Sequence, residues 1–575
     1  MRVACMNTHP LRITLYFALA ALVACGSDSP TSAVSASTAR GTLVENPPFR
    51  IASLDAASLQ AQLAASAFAP FLPLTGNPAC GVDFNYMHYW TVGGSGEAQK
   101  VSGALMVPTG AAPQCSGPRP ILLYAHGTQV DKTVNIADPT DPKNQEGVLV
   151  AAMFAAQGYI VVAPNYVGYD SSSASYHPYL NEDAQSKDMI DALTAGRTAL
   201  GSVLASGTTD NGQLFITGYS QGGYVAMATQ KAMEAAHMTV TAAGGMSGPY
   251  AIEAFGDSAF TGHVSLYSTL FYPMLITSYQ RAYANVYATT ADFYEAAYAP
   301  TIEALLPSAT PVDGANGLIA QGKIPALALF NSTTPVTGTP LDAYLAIPPL
   351  DPNHPENQIF RLGFGTGNLI KNDVRVAYVT DAAFDPDIGL QTLSDCILQP
   401  PNPNNPNCTN PGPGSYSKAL AAPTYGLRFD GYVNDLRDWI PAAPVFLCGG
   451  SLDPAVTYPV NTGIMSLWWQ TQGVPVARTA AALPVSLVAV LDLETGLGAG
   501  DPYAPVEAAF EQAKTNLYTS GYQAAYDQWL AANPGDTAGA DVAGQQGGQF
   551  AVAQNYHQTV EPFCQAAVRG YFSSF

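Results

Sequence analysis

Residues 214–223 read Leu-Phe-Ile-Thr-Gly-Tyr-Ser-Gln-Gly-Gly, and they place a serine where it could act as a nucleophile. The apolar half has the length and composition of a buried strand. The stretch that follows, Tyr224 to Ala236, has a helical pattern. Ser220 therefore stands on a strand-to-helix turn of the form G-x-S-x-G. The backbone of such a turn is strained, and Gly218 and Gly222 avoid the collisions that a Cβ would cause. The turn aims the serine oxygen out of the sheet, and the amides that open the helix favour developing negative charge. A serine hydroxyl also needs a general base, a group that orients the base, and donors for an oxyanion. Three fixed positions are weak alone, and the plain alternative is a structural turn. The flanking strand and helix, and the single occurrence of the pattern, give it weight.

These residues need a rigid scaffold. Apolar runs of strand length occur at Val101 to Val107, Ile121 to Ala125, Tyr159 to Ala163 and Leu214 to Thr217. Helical patterns lie between them, at Val148 to Gln157 and Asp183 to Leu200. Strand–helix alternation predicts an α/β fold with a mostly parallel, doubly wound sheet. The pattern changes after Tyr250. Residues 251–440 are rich in Tyr, Ala and Pro and read as a large, mainly helical cap. Within them, Pro400 to Cys408 reads as an exposed loop, because its prolines cannot complete a helix or a central strand. Strand-like sequence returns at Pro444 to Cys448 and Val485 to Val490. A long helical stretch follows, then His557, then a final helix from about Val560. The expected organisation is a signal peptide (1–24), a tether and N-terminal segment (25–75), a first core part (76–250), the cap (251–440) and a second core part (441–575).

The Gly-Tyr-Ser-Gln-Gly turn, the His126-Gly127-Thr128 loop after a strand and the large insert together resemble bacterial secreted esterases and lipases of the α/β-hydrolase superfamily. The segments Val162-Ala163-Pro164-Asn165-Tyr166-Val167-Gly168-Tyr169 and His177-Pro178-Tyr179 extend the likeness toward the secretory-lipase, Candida lipase A type group. The resemblance spans roughly residues 80–250 and 440–575, and the insert resembles no named module. It implies the chain order Ser, Asp or Glu, His. His557 is the one histidine beyond residue 354, so it is the implied base. Asp453, on the turn after the strand ending at Cys448, is the implied acid, with Asp492 and Glu494 as rivals. The implied oxyanion hole is the backbone N–H groups of Thr128 and Gln221, and His126 shapes the loop. The chain departs from the pattern by a long extra segment before His557.

Arg2 and Arg12 precede an apolar run from Ile13 to Ala24, too short to span a bilayer but suited to a signal peptide. Leu22-Val23-Ala24-Cys25 resembles a lipobox, which implies acylation of Cys25. Gly26, where an Asp would signal retention, implies the outer membrane or cell surface of a Gram-negative bacterium. Ser-, Thr-, Ala- and Pro-rich residues beyond it read as a flexible tether. Six further cysteines remain: Cys80, Cys115, Cys396, Cys408, Cys448 and Cys564. An even number in an exported chain suggests three disulfides. Fifteen pairings are possible and free thiols are the alternative; Cys80–Cys115, Cys396–Cys408 and Cys448–Cys564 form the working set. No CxxC pair or histidine cluster suggests a metal, and no cofactor is required. A net charge of −21 disfavours nucleic acid. Membrane association is expected through the lipid anchor only.

The expected activity is carboxylic ester hydrolysis through an acyl-enzyme. Two other classes compete. A serine peptidase of the prolyl-oligopeptidase kind would share the serine turn, but such enzymes usually carry a large domain before the core. A non-catalytic lipoprotein on a hydrolase fold would usually lack the Ser or the His. Short ester, triglyceride and polyester substrates all remain open.

Overall fold

The computed structural model describes residues 39–66, 69–203, 207–309, 314–332, 359–398, 412–477, 487–495 and 501–575. Cys25, the expected signal peptide and tether up to residue 38, the Pro400–Cys408 segment and hence the expected Cys396–Cys408 pairing lie outside them.

One ten-stranded sheet organises the chain. In chain order its strands are β1 (Phe49–Leu54), β2 (Gly81–Val92), β3 (Ala98–Thr109), β4 (Gly117–Ala125), β5 (Ile160–Pro164), β6 (Thr208–Tyr219), β7 (Ala242–Met246), β8 (Val445–Gly449), β9 (Val476–Ala477) and β10 (Val488–Asp492). Their spatial order is β1-β2-β3-β5-β4-β6-β7-β8-β10-β9. The edge β1-β2-β3 is antiparallel and joins β5 antiparallel; from β5 through β9 every pairing is parallel. The fold class expected above is therefore the one observed.

The central strands are buried on both faces, as parallel strands between helical layers must be. Leu105, Leu123, Val162 and Ile216 face one apolar layer, and Leu122, Val161, Phe215 and Phe446 face the other. Helices α1 (Gln145–Met153), α2 (Glu182–Leu200) and α3 (Gln221–Ala235) cover the sheet. Asn144 and Asn181 cap the first two by accepting the N–H of Gly147 and Ala184.

Strand β7 escaped the sequence reading, because Ala-Ala-Gly-Gly-Met carries neither β-branched nor aromatic residues. Packing explains its composition. A Cβ on Gly244 would sit 2.8 Å from Val568, and one on Gly245 would sit 2.5 Å from the Tyr250 hydroxyl.

The described part of the insert after β7 is helical. Helices α4 (Ile252–Thr261) and α5 (Ser268–Tyr283) lie beside the core, and α6 (Asn372–Phe384) and α7 (Gly426–Val433) complete the tie between them. Two buried arginines do the joining. Arg428 on α7 forks onto Asp257 of α4 at 2.8 and 2.9 Å, meets Glu253 at 3.0 Å and reaches Asp381 of α6 at 3.3 Å. Arg437 binds Asp435 at 2.7 and 2.9 Å and Asp387 at 2.5 Å, and all three side chains are fully buried. Asp435 in turn accepts the Glu253 N–H at 3.1 Å.

The C-terminal region corrects one expectation. His557 does not precede a separate final helix. It sits inside a single helix, α9 (Thr537–Phe572), which pairs along its first half with α8 (Ala504–Ala532) as a helical hairpin. The Tyr518 and Tyr522 rings lie over Gly548 and Gly544 in that seam. The second half of α9 packs on the sheet, with Phe572 stacked on Phe215 and Tyr571 on Phe446. Pro562 lies inside the helix without ending it, since the flanking turns are held by this packing. Among the described residues no helix is long and apolar enough to cross a membrane.

Disulfides join Cys80 to Cys115 and Cys448 to Cys564. Cys396 is also disulfide-bonded. The second bridge closes a loop of 116 residues, which in the chain-entropy account stabilises by about 3–5 kcal/mol. It ties β8 to α9.

Replacing Arg437 with Met leaves Asp387 and Asp435 buried without their partner. Urea denaturation should show a loss of about 3–5 kcal/mol. A loss below about 1 kcal/mol would mean that this cluster does not hold the cap together.

Candidate active site

Parallel neighbours end at the same edge of a sheet. Strands β4, β6 and β8 all lie in the parallel part, so the turns that follow them gather at one rim. Those turns carry His126–Thr128, Ser220 and Gly450–Asp453.

Ser220 has φ 58° and ψ −122°, a left-handed conformation unusual for a residue with a side chain. The strain is held by bonds on both sides. The Ser220 N–H donates to the Met246 carbonyl at 2.8 Å, and the Ser220 carbonyl accepts from Gly223 at 2.9 Å. A Cβ on Gly222 would lie 1.9 Å from the Ala125 carbonyl oxygen, and one on Gly218 would lie 2.5 Å from the same atom. Only glycine lets the elbow come this close to the end of β4.

The structure brings the three residues singled out in the sequence into one line. Ser220 Oγ lies 2.8 Å from His557 Nε2, and His557 Nδ1 lies 2.6 Å from Asp453 Oδ2. All three are buried. The other Asp453 oxygen accepts the N–H groups of Ala455 and Val456 at 2.9 and 3.2 Å, which fixes the carboxylate. Because the carboxylate accepts a hydrogen bond from Nδ1–H, Nε2 is left to present its lone pair to the serine. The Tyr219 hydroxyl donates to the His557 carbonyl, and its ring lies 4.9 Å from the imidazole.

The rivals for the acid stand one step back. Asp492 Oδ1 accepts the N–H of Ser451 at 2.9 Å and of Glu494 at 3.1 Å, bracing the turn that carries Asp453. Glu494 pairs with Lys514 and accepts the hydroxyl of Tyr556, the residue before His557, at 2.5 Å.

Of the residues read as oxyanion donors, Gln221 directly follows the serine and Thr128 lies on the loop after β4. Gln221 opens α3, so its N–H has no acceptor within the helix. Thr128 follows Gly127, whose Cβ position is 3.5 Å from the Tyr219 carbonyl. The loop is held at several points. His126 ring nitrogens lie 2.7 and 3.2 Å from the carbonyls of Gly127 and Asn165, and burial lowers the pKa of this imidazole. Tyr166 donates to the His126 carbonyl at 3.2 Å, and Tyr169 to that of Gln129 at 2.7 Å. Glu146 of α1 accepts the Gly127 N–H at 2.9 Å and the Tyr124 hydroxyl at 2.8 Å. Sequence reasoning missed Glu146, since an acidic residue in a first helical turn ordinarily answers the helix dipole. The tyrosines lie in the segment whose family likeness was visible without a role.

Beside Ser220, a pocket of about 530 Å3, part of it open to solvent, runs under the cap. Leu180 lines it from the core, and Ile252, Phe255, Phe271 and Leu275 line it from α4 and α5. Its wall is chiefly apolar.

Burial pushes the Glu146 carboxyl up from 4.5 to about 7, against the opposing bonds from Gly127 and Tyr124. Glu561, one turn after His557, is raised well above its ordinary range by burial and by Glu146. A carboxyl raised in the fold favours its protonated form, so its contribution to stability is full below about 4.5. That contribution falls as the pH rises toward 7. Glu146→Gln keeps an oxygen for both donors and removes the ionisation. Its unfolding free energy relative to wild type should therefore rise between pH 5 and 8. A difference that stays flat over that range would show that Glu146 titrates normally.

Comparison with known proteins places this geometry in context. Residues 148–267, which run from α1 through the elbow into the cap, match the model of the prolyl oligopeptidase family. No curated protein sequence matches the chain. Among solved structures it is similar to the rice cell wall degrading esterase LipA from Xanthomonas oryzae. The TM-score is 0.56 at 23% identity, over 83% of this chain and 96% of that one. A Legionella pneumophila protein is similar with a TM-score of 0.52 at 16% identity, over 78% and 91% of the two chains. Candida antarctica lipase A aligns over 76% and 75% of the two chains at 12% identity, with a TM-score of 0.35. The chain thus has the α/β-hydrolase fold, its helical insert lying between β7 and β8.

Proposed function

We propose that the chain is an exported, lipid-anchored carboxylic ester hydrolase that works through an acyl-enzyme on Ser220. The unbroken line Ser220–His557–Asp453, opening on an apolar pocket, carries this reading. In the proposed reaction, His557 Nε2 takes the Ser220 proton as Oγ attacks the ester carbonyl. Asp453 holds the imidazole in the required tautomer and stabilises its cation. The N–H groups of Thr128 and Gln221 receive the oxyanion. His557 returns the proton to the leaving alcohol, and water then cleaves the acyl-enzyme by the same steps in reverse order. In this reading the acyl chain lies against the apolar wall of α4, α5 and Leu180, where burial of its methylenes favours binding.

Other observations support the surrounding claims. Disulfides fit an oxidising compartment. Anchoring rests on the lipobox, which ends at Cys25. The esterase name of the Xanthomonas protein supports the ester reading.

The match to the prolyl oligopeptidase model favours a second reading, cleavage of peptide amides. That match ends at residue 267, before Asp453 and His557, so it covers the elbow that esterases and peptidases share. The apolar pocket favours the ester.

Purified protein should hydrolyse p-nitrophenyl esters, with an optimum at an intermediate length in a series from acetate to palmitate. Ser220→Ala should lose activity by about a thousandfold or more, and Asp453→Asn by a comparable factor. Hydrolysis of a peptidyl-prolyl amide in preference to every ester would overturn the ester reading and establish the second one.

A further inference from the structure

We infer that the tripeptide His177-Pro178-Tyr179 is a clamp that sets the oxyanion hole, each of its outer side chains holding one of the two residues that supply the donors. The inference rests on the Ser–His–Asp reading above. Its basis is two separate contacts made from one short segment. Tyr179 OH lies 2.9 Å from Thr128 Oγ1. His177 Nε2 lies 2.5 Å from the side-chain nitrogen of Gln221.

The direction of the second bond follows from the ring's other side. His177 Nδ1 lies 2.7 Å from the Val167 carbonyl, which can only accept, so Nδ1 carries the proton. The Nε2 lone pair then takes the amide N–H of Gln221, with Gln185 of α2 next to it at 3.3 Å. A protonated ring could not accept there. Burial lowers the His177 pKa to about 3, which keeps the ring neutral at working pH.

The segment itself is rigid. His177 and Tyr179 are 2% and 3% exposed, too enclosed to swing away. Pro178 fixes its own φ. Leu180 follows with φ 51°, a costly conformation for a branched residue, and its carbonyl accepts from Tyr279 at 3.2 Å. The His177 ring is flanked by Tyr166, stacked at 5.5 Å, and by Tyr169 at 4.9 Å. Those same tyrosines hold the carbonyls of His126 and Gln129, on either side of the donor loop. His177 and Tyr179 are thus positioning residues: they hold the side chains of the donor residues, and Tyr179 also lines the pocket beside Ser220. Preorganised donors need not reorient as charge develops, so a small displacement at either lowers the rate with little change in fold.

The test is a pair of double-mutant cycles read by the rate of labelling with a fluorophosphonate, whose P=O oxygen needs the same hole. Tyr179→Phe removes only a hydroxyl, and Thr128→Val removes its partner while keeping the backbone N–H. Each should slow labelling about tenfold, and the double variant no further than the slower single, because both break one contact. The second cycle pairs His177→Phe with Gln221→Met. Gln221→Met alone breaks the bond without altering buried His177, so this arm stands even if the His177 variant does not fold. Thermal midpoints should stay within a few degrees for the Tyr179 and Thr128 variants. Losses that multiply in the double variants, or single variants that label within twofold of wild type, would overturn the clamp while leaving the catalytic reading intact. A wild-type protein that fails to label would overturn the catalytic reading and the clamp with it.

Discussion

The closest approach in the site is between the serine elbow and the end of β4. With a Cβ at Gly222 only 1.9 Å from the Ala125 carbonyl, no other residue could sit there. This contact sets the distance between Ser220 and the loop His126–Thr128. It also demands the left-handed φ at Ser220, because the chain must leave β6 and enter α3 without room for a wider turn. The parallel sheet supplies the opposing constraint. Register pairs Ala125 with Gly218 and Tyr219 with Met246, so the strand ends arrive level and their turns face one another.

Around that contact the molecule is braced mainly by hydrogen bonds from buried tyrosines. Tyr166, Tyr169 and Tyr179 hold the loop after β4, and Tyr219 holds the backbone of His557. A tyrosine brings a large apolar ring that packs like a core residue and one hydroxyl that must find a partner. Such a side chain fixes both the position and the direction of a polar group in a water-poor interior. The many tyrosines of this chain, which in composition look like mere packing, include these braces. Glu146 adds a bond of another kind, a carboxyl held in the interior by two donors.

His557 reaches the site on a helix. Half of α9 packs on the sheet, and the Cys448–Cys564 bridge joins it to the strand that leads to Asp453. The arrangement gives His557 a rigid platform, since a side chain on a packed helix has little freedom to leave its rotamer. The cap is braced within itself: Arg428 ties α4, α6 and α7 together, and Arg437 joins Asp435 to Asp387.

How much of this was readable depends on the range of the interaction. Local patterns determined the elbow, because strand, glycines and helix are adjacent in sequence and obey one steric rule. They also determined the buried strands rich in Val, Ile and Leu, and the α/β class. Ser220, His557 and Asp453 were legible as candidates because few residues of the right type lie in the right order; their meeting at 2.8 and 2.6 Å is a property of the sheet. Strand β7 was illegible because its small residues answer to packing: Gly244 to Val568, distant in the chain, and Gly245 to the folded-back ring of Tyr250. The continuity of α9 through His557 was hidden for the same reason: a helix is held there by packing on Phe215 and Phe446, which sequence periodicity does not display. Glu146, His177 and Tyr179 carry no local signal of their roles. Their partners lie across the sheet or on another loop, and only the folded chain decides which polar groups must satisfy one another.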